Sequence, residues 1–321
     1  MERSIGERQR WAWLAAGLSG IAAVKLCGYS WLWVLVGGLA VTIYAIILDR
    51  KLAACGLARL LCRTMGWGGK ILAALTLLWT VLVMGWAANL ADAAFPTVRG
   101  FPGLGWVLLA VAGWGTWKGS GACARCCGIL CLFLIVLYGV IAAFAVPDVK
   151  WQYLTPTDSW STGVWSAGLF LLPFGVWYTP CSRSRKGPAW QMAFLLPAFA
   201  AALAGVTAGV LSPELTARRT VPLYDLAQSV SLFGVMERIE PLLSAAMTMG
   251  VFALLSSLTC AARALADQLR SGQWNTAAVC GFAGISMVLT KDMPAELVAV
   301  GALVFWMVIP AIVLLIGRKR N

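Results

Sequence analysis

Not one histidine occurs among the 321 residues. That removes Ser–His and Cys–His nucleophilic dyads, the HExxH zinc site and any imidazole proton relay. Charge is scarce as well, at 12% of residues, against roughly 25% in a soluble globular chain. Acidic groups are the rarer sign, with 13 Asp and Glu against 25 Lys and Arg. A surface of this size cannot be coated with so little charge. What fills the sequence instead is apolar: 60% hydrophobic residues and a mean hydropathy of +0.81. Its 17 Trp and 33 Gly suit membrane interfaces and close-packed transmembrane helices. These proportions define an all-α polytopic membrane protein, a single transmembrane domain over residues 1–321.

A bilayer crossing takes about 20 apolar residues. Ten runs qualify, at 11–26, 31–48, 71–90, 103–117, 122–146, 162–179, 189–211, 242–265, 275–290 and 295–316, the fourth and ninth being short. The first follows a basic segment as a signal peptide would, but no small-residue cleavage site follows it and nine further spans do. With the N-terminus inside, the inner segments collect 18 of the 25 basic residues, from Arg3, Arg8 and Arg10 through Lys118 and Arg125 to Arg318, Lys319 and Arg320. Six fall outside (Arg99, Lys150, Arg218, Arg219, Arg238 and Lys291), and Lys25 lies in the first span. This bias predicts both termini on the cytoplasmic side. The formal charge of +12 therefore reads as orientation and headgroup contact rather than a nucleic-acid footprint. Two connections are more than turns. Residues 52–66 put Arg59 and Arg63 on one face of a leucine-rich helix suited to the inner surface. Residues 212–240 form a long outer connection, with an interfacial helix predicted from Leu223 to Met236.

Ionisable or broken positions inside the spans are where function concentrates. Lys25 either snorkels to the interface or faces a cavity and a substrate carboxylate. Asn89 and Asp92 read as a solvated helix end. The first span carries Gly17, Ser19 and Gly20, and the sixth carries Gly168 and then Leu172-Pro173-Phe174-Gly175. Proline removes a helix donor, and paired discontinuous helices opening two halves mark binding sites in transporters. Spans one and six of ten each open a five-helix half, about 11–146 and 162–316. Their freed amides would cradle an anionic group such as a carboxylate. The run CARCCGILC places Cys123, Cys127 and Cys131 four apart on one face. It has no second pair or histidine to complete a metal site, so it reads as packing. Glu237, Arg238 and Glu240 stand before the eighth span, as a helix cap, a gate or a subunit contact.

The stretch Pro222–Leu243, PLYDLAQSVSLFGVMERIEPLL, resembles the spore-germination permease family, the integral B subunits of nutrient germinant receptors. Phe233, Glu237, Arg238 and Glu240 occupy the places of that family's Phe-x-x-x-Glu-Arg-Ile/Leu-Glu motif. The exit of the fifth span (Pro147, Asp148, Val149, Leu154 and Pro156), the Leu172–Pro180 region and the inner-surface helix from Gly56 to Gly69 are similar to the family in the same order. The chain departs from the family where Val24-Lys25-Leu26 carries no proline and where Val176 and Trp177 follow Gly175. The resemblance implies two inverted five-helix repeats with broken helices 1 and 6, and no enzymatic activity or cofactor. It further implies a small germinant, such as an amino acid, held among helices one, three, six and eight. A-type and C-type receptor subunits would be its partners in the inner spore membrane or cell membrane. An ion-coupled amino-acid permease is the alternative, with Ser244, Thr248 and Ser256 as the available weak cation ligands; a structural subunit that binds nothing is a third reading.

Overall fold

The computed structural model describes residues 5–52, 56–93, 103–155, 160–182, 190–229, 240–270, 272 and 275–318. Its elements are overwhelmingly helical. They run α1 (Glu7–Val24), α2 (Trp31–Leu52), α3 (Leu57–Ala93), α4 (Leu104–Lys118), α5 (Ser120–Ala145), α6 (Trp160–Phe170), α7 (Trp190–Leu211), α8 (Pro213–Arg218), α9 (Pro222–Ser229), α10 (Glu240–Leu269), α11 (Asn275–Leu289), α12 (Ala295–Ala302) and α13 (Ile309–Arg318). All ten apolar runs of the sequence are helical here, the tenth joining α12 and α13 through a π-helical stretch at Leu303–Val308. Six described segments are long and apolar enough to cross a membrane: Trp31–Asp49, Leu57–Ala93, Ser120–Asp148, Phe194–Leu211, Pro241–Leu269 and Ala295–Ile316. α4 and α11 have 15 residues each. At 1.5 Å per residue they reach about 22 Å, short of the ~30 Å hydrocarbon core. The outer-connection helix begins at Pro222, preceded by α8, and is described to Ser229; its expected continuation to Met236 lies outside the described residues.

Two contacts fix how the chain alternates. Arg10, at the start of α1, reaches Asp49 at the end of α2 (2.8 Å) and the Thr179 carbonyl that follows the sixth span (3.4 Å). Beside them a short parallel strand pair, β1 (Ile5–Gly6) with β2 (Cys181–Ser182), joins the same two regions. The sixth span therefore ends where the first begins. An odd number of crossings per half inverts the second half relative to the first, as inverted five-helix repeats require. Exposed tryptophans gather at both ends: Trp67, Trp114 and Trp117 at the Arg10 end, Trp151 and Trp160 at the other. Amphipathic indoles favour the headgroup level, so the bundle carries its own interfacial belts.

The predicted surface helix is real and ends sharply. α3 starts at Leu57, buries Leu57, Ala58 and Leu61, and leaves Arg59 and Arg63 exposed. It turns into the third span at Gly66, whose φ of 57° and ψ of −122° fall in a region other residues avoid. Nothing lies within 4 Å of a Cβ built there. Gly66→Ala should therefore cost backbone strain alone, about 1–3 kcal/mol, read as a lowered melting temperature in detergent with an unchanged elution volume.

The core is built around α10, which packs against α1, α3 and the sixth span. Small residues permit this. A Cβ on Gly20 would collide with the Gly250 carbonyl carbon and come within 2.7 Å of the Val251 nitrogen. Backbones that close leave no room for side chains, which is how membrane helices gain packing without a hydrophobic driving force.

Candidate functional site

The sixth span breaks where its sequence says it should. α6 stops at Phe170, and Leu172–Tyr178 continues as a 3-10 helix. Pro173 offers no N–H to the Leu169 carbonyl, and the chain tightens, with Phe174 N bonding Leu171 O at 2.9 Å. At its far end Thr179 donates its hydroxyl to Val176 O at 2.7 Å. All seven residues of the segment are buried. Irregular backbone at this depth is tolerated only inside protein, and protein surrounds it: a Cβ on Gly175 would sit 2.9 Å from the Ser257 carbonyl oxygen of α10.

The first span behaves differently from the expectation. Its backbone stays α-helical through Gly17, Ser19 and Gly20, and unwinds only at Lys25, before a 3-10 turn at Leu26–Gly28. The break sits at the end of the helix, not at mid-depth. Packing explains the displacement. Gly17 faces Pro173 and Leu254: a Cβ built on it would lie 3.0 Å from Pro173 Cβ and 3.4 Å from Leu254 Cα. Gly20 faces Gly250, and Ser19 returns its hydroxyl to Ala16 O at 2.7 Å. These glycines are the contact surface that lets the sixth-span break and α10 close on α1.

An aromatic group surrounds the break. Phe174 stacks on Trp177 at 4.5 Å and lies parallel to Tyr44 of α2 at 6.5 Å. Tyr44 donates to the Trp306 and Met307 carbonyls of the π-helical stretch (3.2 and 3.1 Å), and Tyr178 donates to Phe305 O (3.3 Å). A π-turn frees carbonyls from the helical ladder, and these two phenols take them. The buried indole N–H groups of Trp177 and Trp306 have no hydrogen-bond partner. Two unpaired donors beside a broken helix suit a ligand that brings acceptors. Trp11 meets Trp177 edge-on at 5.5 Å and the Arg10 guanidinium lies 5.8 Å from the Trp177 ring. The site is thereby closed toward the Arg10 end. Trp13 Nε1 donates to Ala253 O (3.1 Å) and Ser256 Oγ (3.0 Å) of α10. Ser256 is thus already engaged, rather than offering lone pairs to a cation.

Lys25 stands apart from this centre. It is partly exposed at the end of α1, and Glu296 at the start of α12 is its charged neighbour. The same carboxylate adds to burial in raising the Tyr29 phenol above its ordinary pKa. Asn89 is not a solvated end: its amide donates to Met287 O at 3.0 Å and ties α3 to α11. Asp92 accepts from the Gly105 N–H at the start of α4. Glu237 and Arg238 lie outside the described residues, and Glu240 is the first residue of α10. The cysteine face points into the protein interior. Cys123, Cys127 and Cys131 are buried free thiols, Cys127 within 3.5 Å of Ser256. No cluster of three metal-ligating side chains occurs among the described residues.

The sequence shows the sixth-span break, but it points to a second break at Gly17, Ser19 and Gly20 where these residues pack instead, and it gives no sign of Arg10, Trp13, Tyr44, Asp49, Trp177 and Trp306. Arg10 was visible only as basic flank. The aromatics gave no signal among so many interfacial tryptophans.

Known structures share this fold. A substrate-bound, outward-open sodium-coupled sialic acid symporter aligns at a TM-score of 0.58 and 14% identity, over 96% of this chain and 76% of its own. MhsT in complex with L-phenylalanine aligns at 0.62 and 15%, over 95% and 81%. Mhp1, a nucleobase-cation-symport-1 family transporter in a closed conformation with bromovinylhydantoin bound, aligns at 0.56 and 15%, over 95% and 75%. The chain therefore has the fold of these helical membrane transporters. No protein-family model and no curated protein sequence matches it.

Proposed function

We propose that this protein recognises a small carboxylate-bearing metabolite, such as an amino acid, at the sixth-span break. In this reading it acts as the permease-like subunit of a spore nutrient-germinant receptor. The observation that carries recognition is the wholly buried 3-10 segment Leu172–Tyr178, with the unpaired Trp177 and Trp306 donors beside it. Gly17, in contact with Pro173, would close the site beside Leu172, Pro173, Phe174 and Gly175, with Ser19 and Gly20 packed next to it, and Lys25 would stand at the outer mouth. The fold shared with solute transporters supports a solute at this place. The finer role rests on the likeness of the Glu237-Arg238-Ile239-Glu240 stretch to the germination permeases. A-type and C-type subunits are then its partners, Glu237, Arg238 and Glu240 a gate or subunit contact, and both termini cytoplasmic.

Receptor rather than pump is favoured by the acids. Every described Asp and Glu sits at or near a helix end or in a connection, where none can carry a coupling proton at mid-depth. Thermal unfolding of the purified protein with each of the common L-amino acids tests recognition. A ligand at a hundred times its Kd should add about 2.7 kcal/mol of stability. Gly175→Val, which intrudes on α10, should remove that increment. Stabilisation by no amino acid, or an increment unaltered by the variant, would refute the site. Proteoliposome uptake separates the alternative: accumulation driven by a sodium or proton gradient would make it an ion-coupled permease.

A further inference from the structure

The geometry points to a phospholipid site on the membrane face of the bundle, selective for an anionic headgroup. Between α4 and α11 runs an open apolar groove of about 290 Å³, walled by Trp114 and Trp117 and floored by Gly113, Ala277 and Cys280. Gly113 and Cys280 are in close contact beneath it, so the floor is closed and the groove opens outward. It flanks exposed apolar side chains of both helices, among them Val107, Val111, Phe282 and Ile285, which a membrane protein turns to lipid. α4 and α11 are the two short 15-residue helices. Where adjacent helices fall short of the hydrocarbon thickness, the bilayer must thin or local lipids must adapt. A lipid seated in the groove relieves that mismatch.

Charge at one end chooses the headgroup. The groove occupies the C-terminal part of α4 and the first turns of α11, and cations meet there. The Lys118 ammonium lies over the Trp114 ring at 5.9 Å, on the groove wall itself. Arg263 donates to the Thr116 carbonyl at 2.6 Å. Arg270, exposed, precedes α11, and its carbonyl accepts from the Asn275 amide at 2.8 Å. The acid nearby, Asp267, is held by Arg263 (3.7 Å) and by Asn275 (2.6 Å). The N-terminal end of the α11 dipole adds positive potential at the same level. An acyl chain along the tryptophan-walled groove, with its phosphate among Lys118, Arg270 and the α11 N-terminus, matches both halves of the surface. This inference is independent of the solute site.

Native mass spectrometry of the purified protein tests it, with phosphatidylglycerol and phosphatidylcholine of identical chains. One phosphatidylglycerol should remain bound at collision energies that strip phosphatidylcholine, with at least a tenfold difference in occupancy. Lys118→Glu combined with Arg270→Glu, both at exposed positions, should bring that ratio toward one while the melting temperature stays put. Ala277→Trp should fill the groove and lower retention of both lipids. Glycerophosphoglycerol, which has the headgroup without chains, should displace nothing. Equal retention of the two lipids, full retention in Ala277→Trp, or displacement by the chainless headgroup would each overturn the assignment.

Discussion

Gly20→Ala should lower the stability of the bundle by about 3 kcal/mol, at the upper end of overpacking costs, and its melting temperature by roughly 5–10 °C. The neighbours of the added methyl are backbone: the Gly250 carbonyl and the Val251 nitrogen, 2.7 Å away. Backbone atoms cannot rotate aside, so α1 and α10 must separate, and Pro173 and Leu254 beside Gly17 lose contact with them. Gly250→Ala meets the Gly20 backbone from the other side and should cost a similar amount. Because both methyls force the same separation, the double variant should cost less than the sum of the singles. Thermal melts of the three variants in one detergent would show it. Additive losses would mean that the two glycines do not share a contact. If Gly20→Ala melts like the parent, the helices are not pressed together there.

That close approach marks the boundary of what sequence could deliver. Apolar length gave all ten helical segments, because the bilayer imposes length directly. Pro173 gave the sixth-span break, because a missing N–H acts locally whatever surrounds it. Gly17 and Gly20 look the same in sequence whether they loosen a helix or let another helix touch it. Only the partner decides, and Gly250 and Leu254 lie more than two hundred residues away. The first span was therefore expected to open at mid-depth, yet it remains wound to Val24. Trp13, Tyr44, Trp177 and Trp306 were illegible for a related reason. Their roles are hydrogen bonds to carbonyls or unpaired N–H groups in another segment, which no spacing encodes. Asn89 is opaque in the same way, its acceptor being Met287 O on α11.

The Arg10–Asp49 pair should show the second large effect. Arg10 is 2% exposed and Asp49 19%, with 2.8 Å between them. Removing one partner strands the other charge where water scarcely reaches it, a loss of about 3 kcal/mol for largely buried pairs. Arg10→Met should do this to Asp49 and also forfeit the contact with the Trp177 ring and the bond to the Thr179 carbonyl. Asp49→Leu should strand the guanidinium. Arg10→Met with Asp49→Leu buries no unpaired charge and should recover most of the loss, so a double-mutant cycle in thermal stability gives a coupling well above the ~0.5 kcal/mol of an exposed pair. Arg10 also links the start of α1 to the end of the sixth span, where β1 pairs with β2. Arg10→Met should consequently free Thr179 from α1. Faster amide exchange at Val176–Thr179, with exchange in α5 unchanged, would report that release. A uniform rise across the bundle would mean that the ion pair stabilises the fold generally rather than closing this end over the sixth-span break.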